Sequence, residues 1–487
     1  MAIDEAIRQG EGPPPKVVPH LSESESKAKG KDARARVPRP SQAYYEPWPE
    51  RPDPVSLLEE QATTRVPELV PIRYGRMLAG PFPFYRGAAL VMASDLSSTP
   101  RSGLMAQICG DAHLSNFGVF GSPERQLVFD CNDFDETLPG PWEWDVKRLA
   151  ASFVVAARGL GFPKSTREAT IVTLGWRYRE HMRQLATMSN LEVWYSHIDI
   201  ENVVAMLKKQ AARTGSKAEA HMAATATKLT AKARTKDSMK AIDKLTTIVD
   251  GERRIISDPP LVVPVDELYP ELESLNMKEY FHGLVRKYRA SLPTDRKHLL
   301  EHYEFRELAR KVVGVGSVGT RAWIILLRGP RPEDLLFLQA KEAEASVIER
   351  FTKKSAYGNH GARVVAGQRL MQAASDIFLG WQRSVGIDGV TRDFYVRQLQ
   401  DWKGSVDVDN ALPEGVSQYG ALCARTLARA HARSGDRIAI ASYLGSNPTF
   451  ENALARFAEA YADQNERDFE AFQAACKSGR IHAEEGV

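Results

Sequence analysis

Cysteine is scarce in this chain, four residues in 487: Cys109, Cys131, Cys423 and Cys476. They lack the paired spacing of a metal site or a disulfide framework, so they read as packing residues, and such sparse use suits a reducing cytoplasm. Long apolar runs are missing as well. None approaches the roughly 20 residues a membrane helix needs, and the start Met1-Ala2-Ile3-Asp4 has no basic segment leading into an apolar core. Neither a membrane partner nor a secretory leader is expected. An excess of one charge is also lacking. With 65 Lys+Arg against 62 Asp+Glu the formal net charge is +3, which gives no argument for nucleic acid. No internal repeat is apparent. The 43% hydrophobic and 26% charged content is that of an ordinary globular protein, and the length exceeds one simple core, so two or three lobes are expected.

Residues 1–60 hold Pro13-Pro14-Pro15, a Ser-Glu repeat near Ser22 and alternating Lys, Arg and Pro. So little apolar surface cannot offset the entropy of ordering, and a disordered tail is predicted. Residues 61–300 follow as a second part, with Pro81 to Gly87 as a compact aromatic stretch opening the fold. Between 105 and 135 two apolar runs flank the turn Gly121-Ser122-Pro123-Glu124 and read as a hairpin. Val146, Leu149, Ala150, Phe153, Val154 and Ala157 recur at helical spacing. Residues 200–250 form a helix-prone insertion with a basic bias from Lys208 to Lys236. A solvated face explains the bias; a platform for an acidic substrate is the sharper alternative. Residues 301–405 turn strand-like, with a further strand from Phe394 to Leu399, and 406–487 return to helix.

Val313-Gly314-Val315-Gly316-Ser317-Val318-Gly319 fits two phosphate cradles. In a dinucleotide fold the third glycine opens a helix; in a kinase the loop joins two antiparallel strands and a lysine on the third strand meets the phosphates. The residues after Gly319, Thr320 to Leu327, are β-branched and aromatic and end at Arg328-Gly329-Pro330. They predict a strand. The next run ends at Gln339-Ala340-Lys341, which puts Lys341 at the kinase lysine position. Glycine at 314, 316 and 319 lets backbone amides approach phosphate without an intervening side chain. The bland alternative is a glycine-rich hairpin with an ordinary lysine.

Phosphoryl transfer needs an acceptor-facing base and metal ligands that neutralise phosphate charge. Asp111 and Asn116, in Gly110-Asp111-Ala112-His113-Leu114-Ser115-Asn116, reproduce the D-x-x-x-x-N spacing of a catalytic loop. The metal carboxylate should come from the following strand. Asp130 has the expected distance from Asn116, whereas Asp133-Phe134-Asp135 better fits an Asp-Phe pattern; Asp130, Asp133 and Asp135 all stay candidates, with Asp133 preferred. These acids and Glu136 lie within seven residues, and their mutual repulsion calls for a cation. Solvated turn carboxylates are the alternative. His113 reads as a structural loop residue. Asp145 is placed to cap the helix that follows Trp144 and to accept catalytic-loop amides.

Gly110-Asp111-x-His113-x-x-Asn116, the Asp133-Phe134-Asp135 strand and Trp144-Asp145-Val146 resemble the aminoglycoside and choline phosphotransferase branch of the kinase-like fold. From about residue 65 to 475 the chain is also similar to the bacterial family called domain of unknown function 2252. That similarity runs through Phe84 to Gly87, Cys109 to Asn116, Asn132 to Glu136, Val312 to Thr320, Gln339 to Ala343, Gly367 to Arg369, Asp401 to Ser405 and Ala428 to Asp436. Leu422 to Ala432 resembles the helix that directly precedes the catalytic loop in ordinary phosphotransferases, yet here it follows that loop by some three hundred residues. The resemblance therefore implies an α+β, two-lobed, kinase-like fold that is circularly permuted, with a small antiparallel-sheet lobe and a larger helical lobe. The Lys341 partner stays open among Glu342, Glu344 and Glu349, and Asp436 is a rival to Asp111.

The leading expectation is a cytoplasmic transferase that uses ATP and Mg2+. Gly314, Gly316, Ser317, Gly319 and Lys341 would hold phosphates, and Asn116 with Asp130, Asp133 or Asp135 would hold the metal. Asp111 would face a small-molecule or protein acceptor. A nucleotide-binding pseudokinase or interaction module, and nucleotidyl transfer to protein, are the alternatives. A dinucleotide-dependent redox enzyme requires a helix after Gly319.

Overall fold

The computed structural model describes residues 20–234, 238–270, 277–386, 388–399, 402, 404 and 411–487. Helices make up most of it, with small antiparallel sheets, giving an α+β architecture. Among the described residues no helix is long and apolar enough to cross a membrane.

The helical body is built on the helix Trp142–Gly159, which packs against Lys164–Ala186, Pro413–Ser434 and Thr449–Lys477. All six apolar positions expected on its inner face are buried. Burial of a side chain such as Leu149 or Phe153 stabilises by about 1.5–3 kcal/mol over exposure. The structure also buries Glu143, Asp145, Lys147 and Arg148 on the same helix. Charges at such depth need partners, and two of these four supply the site described below. Trp142 anchors the helix start by stacking on Tyr178 at 5.5 Å between ring centroids.

Two ribbons lie on this body. β1 (Met105–Ile108) pairs with β4 (Leu138–Pro141), and β2 (Phe117–Gly121) pairs with β3 (Leu127–Cys131) across the expected turn. Past the helices Ile200–Thr214, Lys217–Arg234 and Ser238–Leu245, a short hairpin of β5 (Thr246–Val249) and β6 (Glu252–Ile255) interrupts the helix-prone insertion.

The second lobe is a six-stranded sheet of β7 (Val262–Pro264), β8 (Glu304–Lys311), β9 (Ala322–Arg328), β10 (Leu335–Ala343), β11 (Gly380–Val385) and β12 (Thr391–Gln398). Its spatial order is β11-β12-β10-β9-β8-β7, antiparallel throughout. β10 is buried along nearly its whole length, Gln339 and Lys341 included. The sheet lobe starts at Val262 rather than residue 301, and residues just before 301 pack on it: Ser291 Oγ accepts from the Trp381 amide at 2.8 Å.

The tail expected to be disordered is folded from residue 20 onward. Ser22 and Glu25 form a capping box that starts the helix Glu23–Arg36. Its buried residues are Ser26, Gly30 and Ala33, small enough for close approach to the helix Arg437–Leu444. Arg51 then forks onto two buried carboxylates, Asp95 and Asp468, at 2.6 Å each. Up to residue 51 the packing is by small residues and a part-buried arginine, which leave little apolar signature; the apolar anchors Val55, Leu57 and Leu58 come only at the end of the tail, in the helix Pro54–Ala62. Residues 1–19, Lys236, and Asp401, Lys403 and Ser405 of the family-like stretch lie outside the described residues.

Candidate active site

Residues 109–116 leave β1 and are clamped from below by the helical body. Gly110 has φ 78°, a left-handed conformation only glycine adopts freely, and a Cβ there would strike the Glu136 carbonyl. Asp145 accepts from the Cys109 amide at 2.6 Å and the Gly110 amide at 2.9 Å. It does not cap its own helix, whose start at Trp142 carries no side-chain cap; the loop takes both oxygens instead. His431 Nε2 lies 3.2 Å from Asp145 Oδ2, and Tyr178 holds its Nδ1 at 2.8 Å. Ser152 Oγ accepts from the Leu114 amide at 3.0 Å, and Tyr419 donates to the Leu114 carbonyl at 2.7 Å.

Asp111 is bound by Arg148, whose Nε donates to Oδ1 at 2.5 Å while Nη2 meets the same oxygen. Burial raises the Asp111 carboxyl above its usual value, and Asp133 adds to the push against the pull of Arg148. Asn116 Nδ2 donates to the Asp111 carbonyl at 2.8 Å, which leaves its side-chain oxygen uncommitted among the described residues. His113 is buried, and that burial, with Arg148 and Arg86 nearby, keeps its ring neutral.

The three candidate metal carboxylates part company. Asp130 is buried away from the cleft, where Arg429 Nη2 grips both oxygens at 2.6 and 2.7 Å and the Ala373 amide donates at 2.8 Å. Those bonds satisfy it as a structural residue and remove it from the metal candidates. Asp133 and Asp135 line the cleft. Lys341 Nζ donates to Asp135 Oδ2 at 2.5 Å and Tyr395 Oη to Oδ1 at 2.6 Å. Burial opposes the Lys341 ammonium, but Asp135, Tyr395 and Asp133 outweigh it and hold its pKa above the ordinary value. Burial likewise disfavours the Asp135 carboxylate, and Lys341 and Tyr395 overcome it, so its pKa is lowered.

None of the three glutamates considered is the Lys341 partner. Glu342 pairs with Arg321 and Arg392 at 3.2 Å each, Glu344 accepts from Thr64 at 3.2 Å, and Glu349 Oε1 is buried without a hydrogen bond. The helix after β10, His360–Met371, carries no acid. Its Arg363 donates to the Asp135, Thr137 and Glu344 carbonyls at 2.7–2.8 Å, fixing the acidic turn from behind. Sequence reasoning missed Arg148 and Arg363 as organising residues, because an arginine in an apolar helical pattern reads as surface. Glu136 was read only as part of the charge cluster. It accepts from the Val347 amide at 2.7 Å, and burial pushes its pKa up to about 7.

The glycine loop joins β8 to β9, and the segment after Gly319 is a strand, so the helix a dinucleotide cradle requires is absent there. Gly314 and Gly319 have φ 69° and 88°. A Cβ on Gly316 would lie 3.0 Å from the Arg86 carbonyl. Arg76 donates to the Gly314 carbonyl at 2.7 Å, Arg65 bonds the Val318 carbonyl, and the Val66 amide donates to Gly319 O at 2.8 Å. The amides of Gly316 and Ser317 have no acceptor among the described residues.

One cavity of about 840 Å3 collects Asp111, Asn116, Asp133, Asp135, Gly314, Gly316 and Ser317. Lys341 reaches it through Asp135, while Gly319 turns onto Arg65 and Asp130 stays behind the wall. Asp436, the rival to Asp111, caps the helix Arg437–Leu444 and pairs with Lys29 at 3.3 Å, outside this cavity. Among the described residues no three His, Cys, Asp or Glu side chains are arranged to hold a metal. Magnesium, however, is commonly held by one or two carboxylates plus substrate phosphates, and Asp133 with the Asn116 oxygen meets that lesser demand. The residues present fit a nucleotide phosphate chain and its cation.

Comparison with curated proteins and with solved structures gives no match. A family model does match residues 65–475, which covers every element of the cavity except Glu60 to Thr64 at its rim. The chain belongs to the family described as uncharacterized protein conserved in bacteria, DUF2252.

Proposed function

We propose that this cavity is the active site of an ATP- and Mg2+-dependent phosphotransferase on a circularly permuted, kinase-like scaffold. The observation that carries the reading is the Lys341–Asp135 ion pair, which bridges residues 206 apart in sequence across one cavity with the glycine loop. A buried ammonium beside clustered acids and a glycine loop is the charge arrangement a metal-bound triphosphate requires. The permutation is supported at the far end of the Pro413–Ser434 helix. Ser434 Oγ accepts from the Gln107 amide at 3.0 Å, so that helix runs up to β1 and the loop it would precede in an unpermuted chain.

In this reading the Gly316 and Ser317 amides bind phosphate oxygens, and Lys341 balances phosphate charge while orienting Asp135. Asn116 and Asp133 would hold magnesium, which neutralises the phosphates when bound. Asp111, kept near the acceptor by Arg148, takes up or orients the acceptor hydroxyl proton; its raised pKa suits a base. A silent pseudokinase is favoured by one observation, the Arg148 grip that shares the Asp111 oxygen. Nucleotidyl transfer to a protein uses the same groups.

Titration with a fluorescent ATP analogue tests the reading. Binding is expected to need Mg2+ and to be lost in Lys341→Ala and Asp133→Ala. Metal-independent binding, or binding equal in both variants and the wild type, overturns it. Release of γ-phosphate by the wild type and not by Asp111→Asn separates enzyme from pseudokinase, with a loss of about 10²–10⁴-fold expected.

A further inference from the structure

The phosphotransferase cavity leaves one surface of the helical body unused, the seam where the helices Lys164–Ala186 and Pro413–Ser434 pack against each other. Arg425, Arg429 and Arg433 recur every four residues on the second helix, so they form one row along it. Arg177 and His181 of the first helix lie beside that row: His181 feels Arg425, Arg429 and Arg177, and Arg425 feels Arg177.

Only the middle member of the row is paired, Arg429 on the buried Asp130. Among the described residues no carboxylate forms an ion pair with Arg177, Arg425 or Arg433, and Glu180, on the same stretch of the first helix, pairs with none of them. Arg433 donates to the Gln372 carbonyl at 2.6 Å, and the one acid that acts on it is Asp130, already held by Arg429. Arg425 is exposed, and partial burial with the neighbouring Arg177 lowers its pKa. Burial and Arg429 bring Arg433 down to about 10. His181, lowered to about 4 by burial and by the arginines around it, is neutral and adds no charge.

A tryptophan stands at either end. The Arg177 guanidinium lies 4.4 Å from the Trp176 ring centroid, and that of Arg433 lies 3.8 Å from Trp194. The two indoles are 40% and 45% exposed, and Tyr195 beside the second is 70% exposed. Arginine forks match phosphate oxygens and stack on rings, and aromatic platforms along a basic track hold unstacked bases. A bilayer surface would ask for a broad apolar helix face, but both helices turn their apolar faces into the protein core.

We propose that this arginine row, bracketed by Trp176 and Trp194, binds single-stranded nucleic acid, with phosphates on Arg177, Arg425 and Arg433 and bases stacked on the two indoles. None of these residues lines the phosphotransferase cavity, and neither reading depends on the other.

Fluorescence anisotropy with labelled oligodeoxythymidylate and oligouridylate is the test. Binding of at least one strand is expected, and three phosphate contacts predict a log–log salt slope of about −2. Arg425→Glu should weaken binding by about 10-fold or more and flatten the slope, with ATP-analogue binding left at the wild-type level. Should that variant fail to fold, Arg177→Gln takes its place with a loss in the same direction. Trp176→Ala and Trp194→Ala should each cost about 5–150-fold and reduce the quenching of protein fluorescence by the oligonucleotide. A wild type that binds neither strand, or an affinity unchanged in the arginine variant, overturns the proposal. So does a wild-type affinity in both tryptophan variants, which would leave charge alone as the cause. Binding to phosphatidylserine vesicles without binding to either oligonucleotide makes the surface a membrane contact and overturns it too.

Discussion

The loop at residues 109–116 and the glycine loop at 312–321 face the same cavity but are held by opposite means. The first is bonded by buried side chains of the helical body: Asp145 on two amides, Ser152 on a third, and Tyr419 on a carbonyl. The second is tethered through its carbonyls to Arg65, Arg76 and the Val66 amide, and its Gly316 and Ser317 amides find no acceptor among the described residues. Groups that must already be in place when a reaction starts belong on a rigid element, while a cover over phosphates has to admit and release them. In the phosphotransferase reading proposed above, the contrast in anchoring is what such a division of labour requires.

Native-state hydrogen exchange addresses the contrast directly and should show the largest effect. The Cys109 and Gly110 amides are expected to exchange only through opening near the global stability, on the order of 5–15 kcal/mol, and the Gly316 and Ser317 amides with almost no protection. Equal protection at the two loops would erase the distinction. Next in size is Asp145→Ala. It strips two buried amides and His431 of their acceptor at once, and a loss of about 3–5 kcal/mol in denaturant unfolding is expected.

Glu136 ties the first loop to the segment after β10, its side chain on the Val347 amide and its carbonyl against Gly110. Its pKa rises from 4.5 to about 7 on folding. Between those values the folded state binds more proton than the unfolded one, so stability falls as pH rises through this window. A shift of that size corresponds to roughly 3 kcal/mol. The stability difference between wild type and Glu136→Gln should therefore move by that amount between pH 4 and pH 8, the wild type losing ground. A difference independent of pH would mean that Glu136 is solvated in the folded protein.

Much of this was legible from local sequence. The strand after Gly319 and the turn at Gly121 to Glu124 are properties of a few consecutive residues, and each is found where expected. What escaped depends on closure in space. Asp135 rather than a nearby glutamate meets Lys341, because the acidic turn and β10 are brought together only in the folded chain. Asp130 has the right spacing for a metal ligand, yet Arg429, 299 residues away, claims it. The helix Glu23–Arg36 was invisible because small residues make its contacts.

The smallest effect tests the glycine loop's own geometry. Gly314 has φ 69° and open space around a would-be Cβ, whose nearest neighbour is Ser317 Cβ at 4.0 Å, whereas Gly316 has an ordinary φ but a Cβ position 3.0 Å from the Arg86 carbonyl. Gly314→Ala should cost about 1–2 kcal/mol from left-handed backbone strain alone. Gly316→Ala carries no such strain; it presses the loop away from Arg86 and should affect phosphate binding more than folding. Denaturant unfolding and pyrophosphate titration of both variants separate the two. If Gly314→Ala weakens binding while Gly316→Ala leaves it intact, the loop's approach to Arg86 is not what shapes the phosphate end of the cavity.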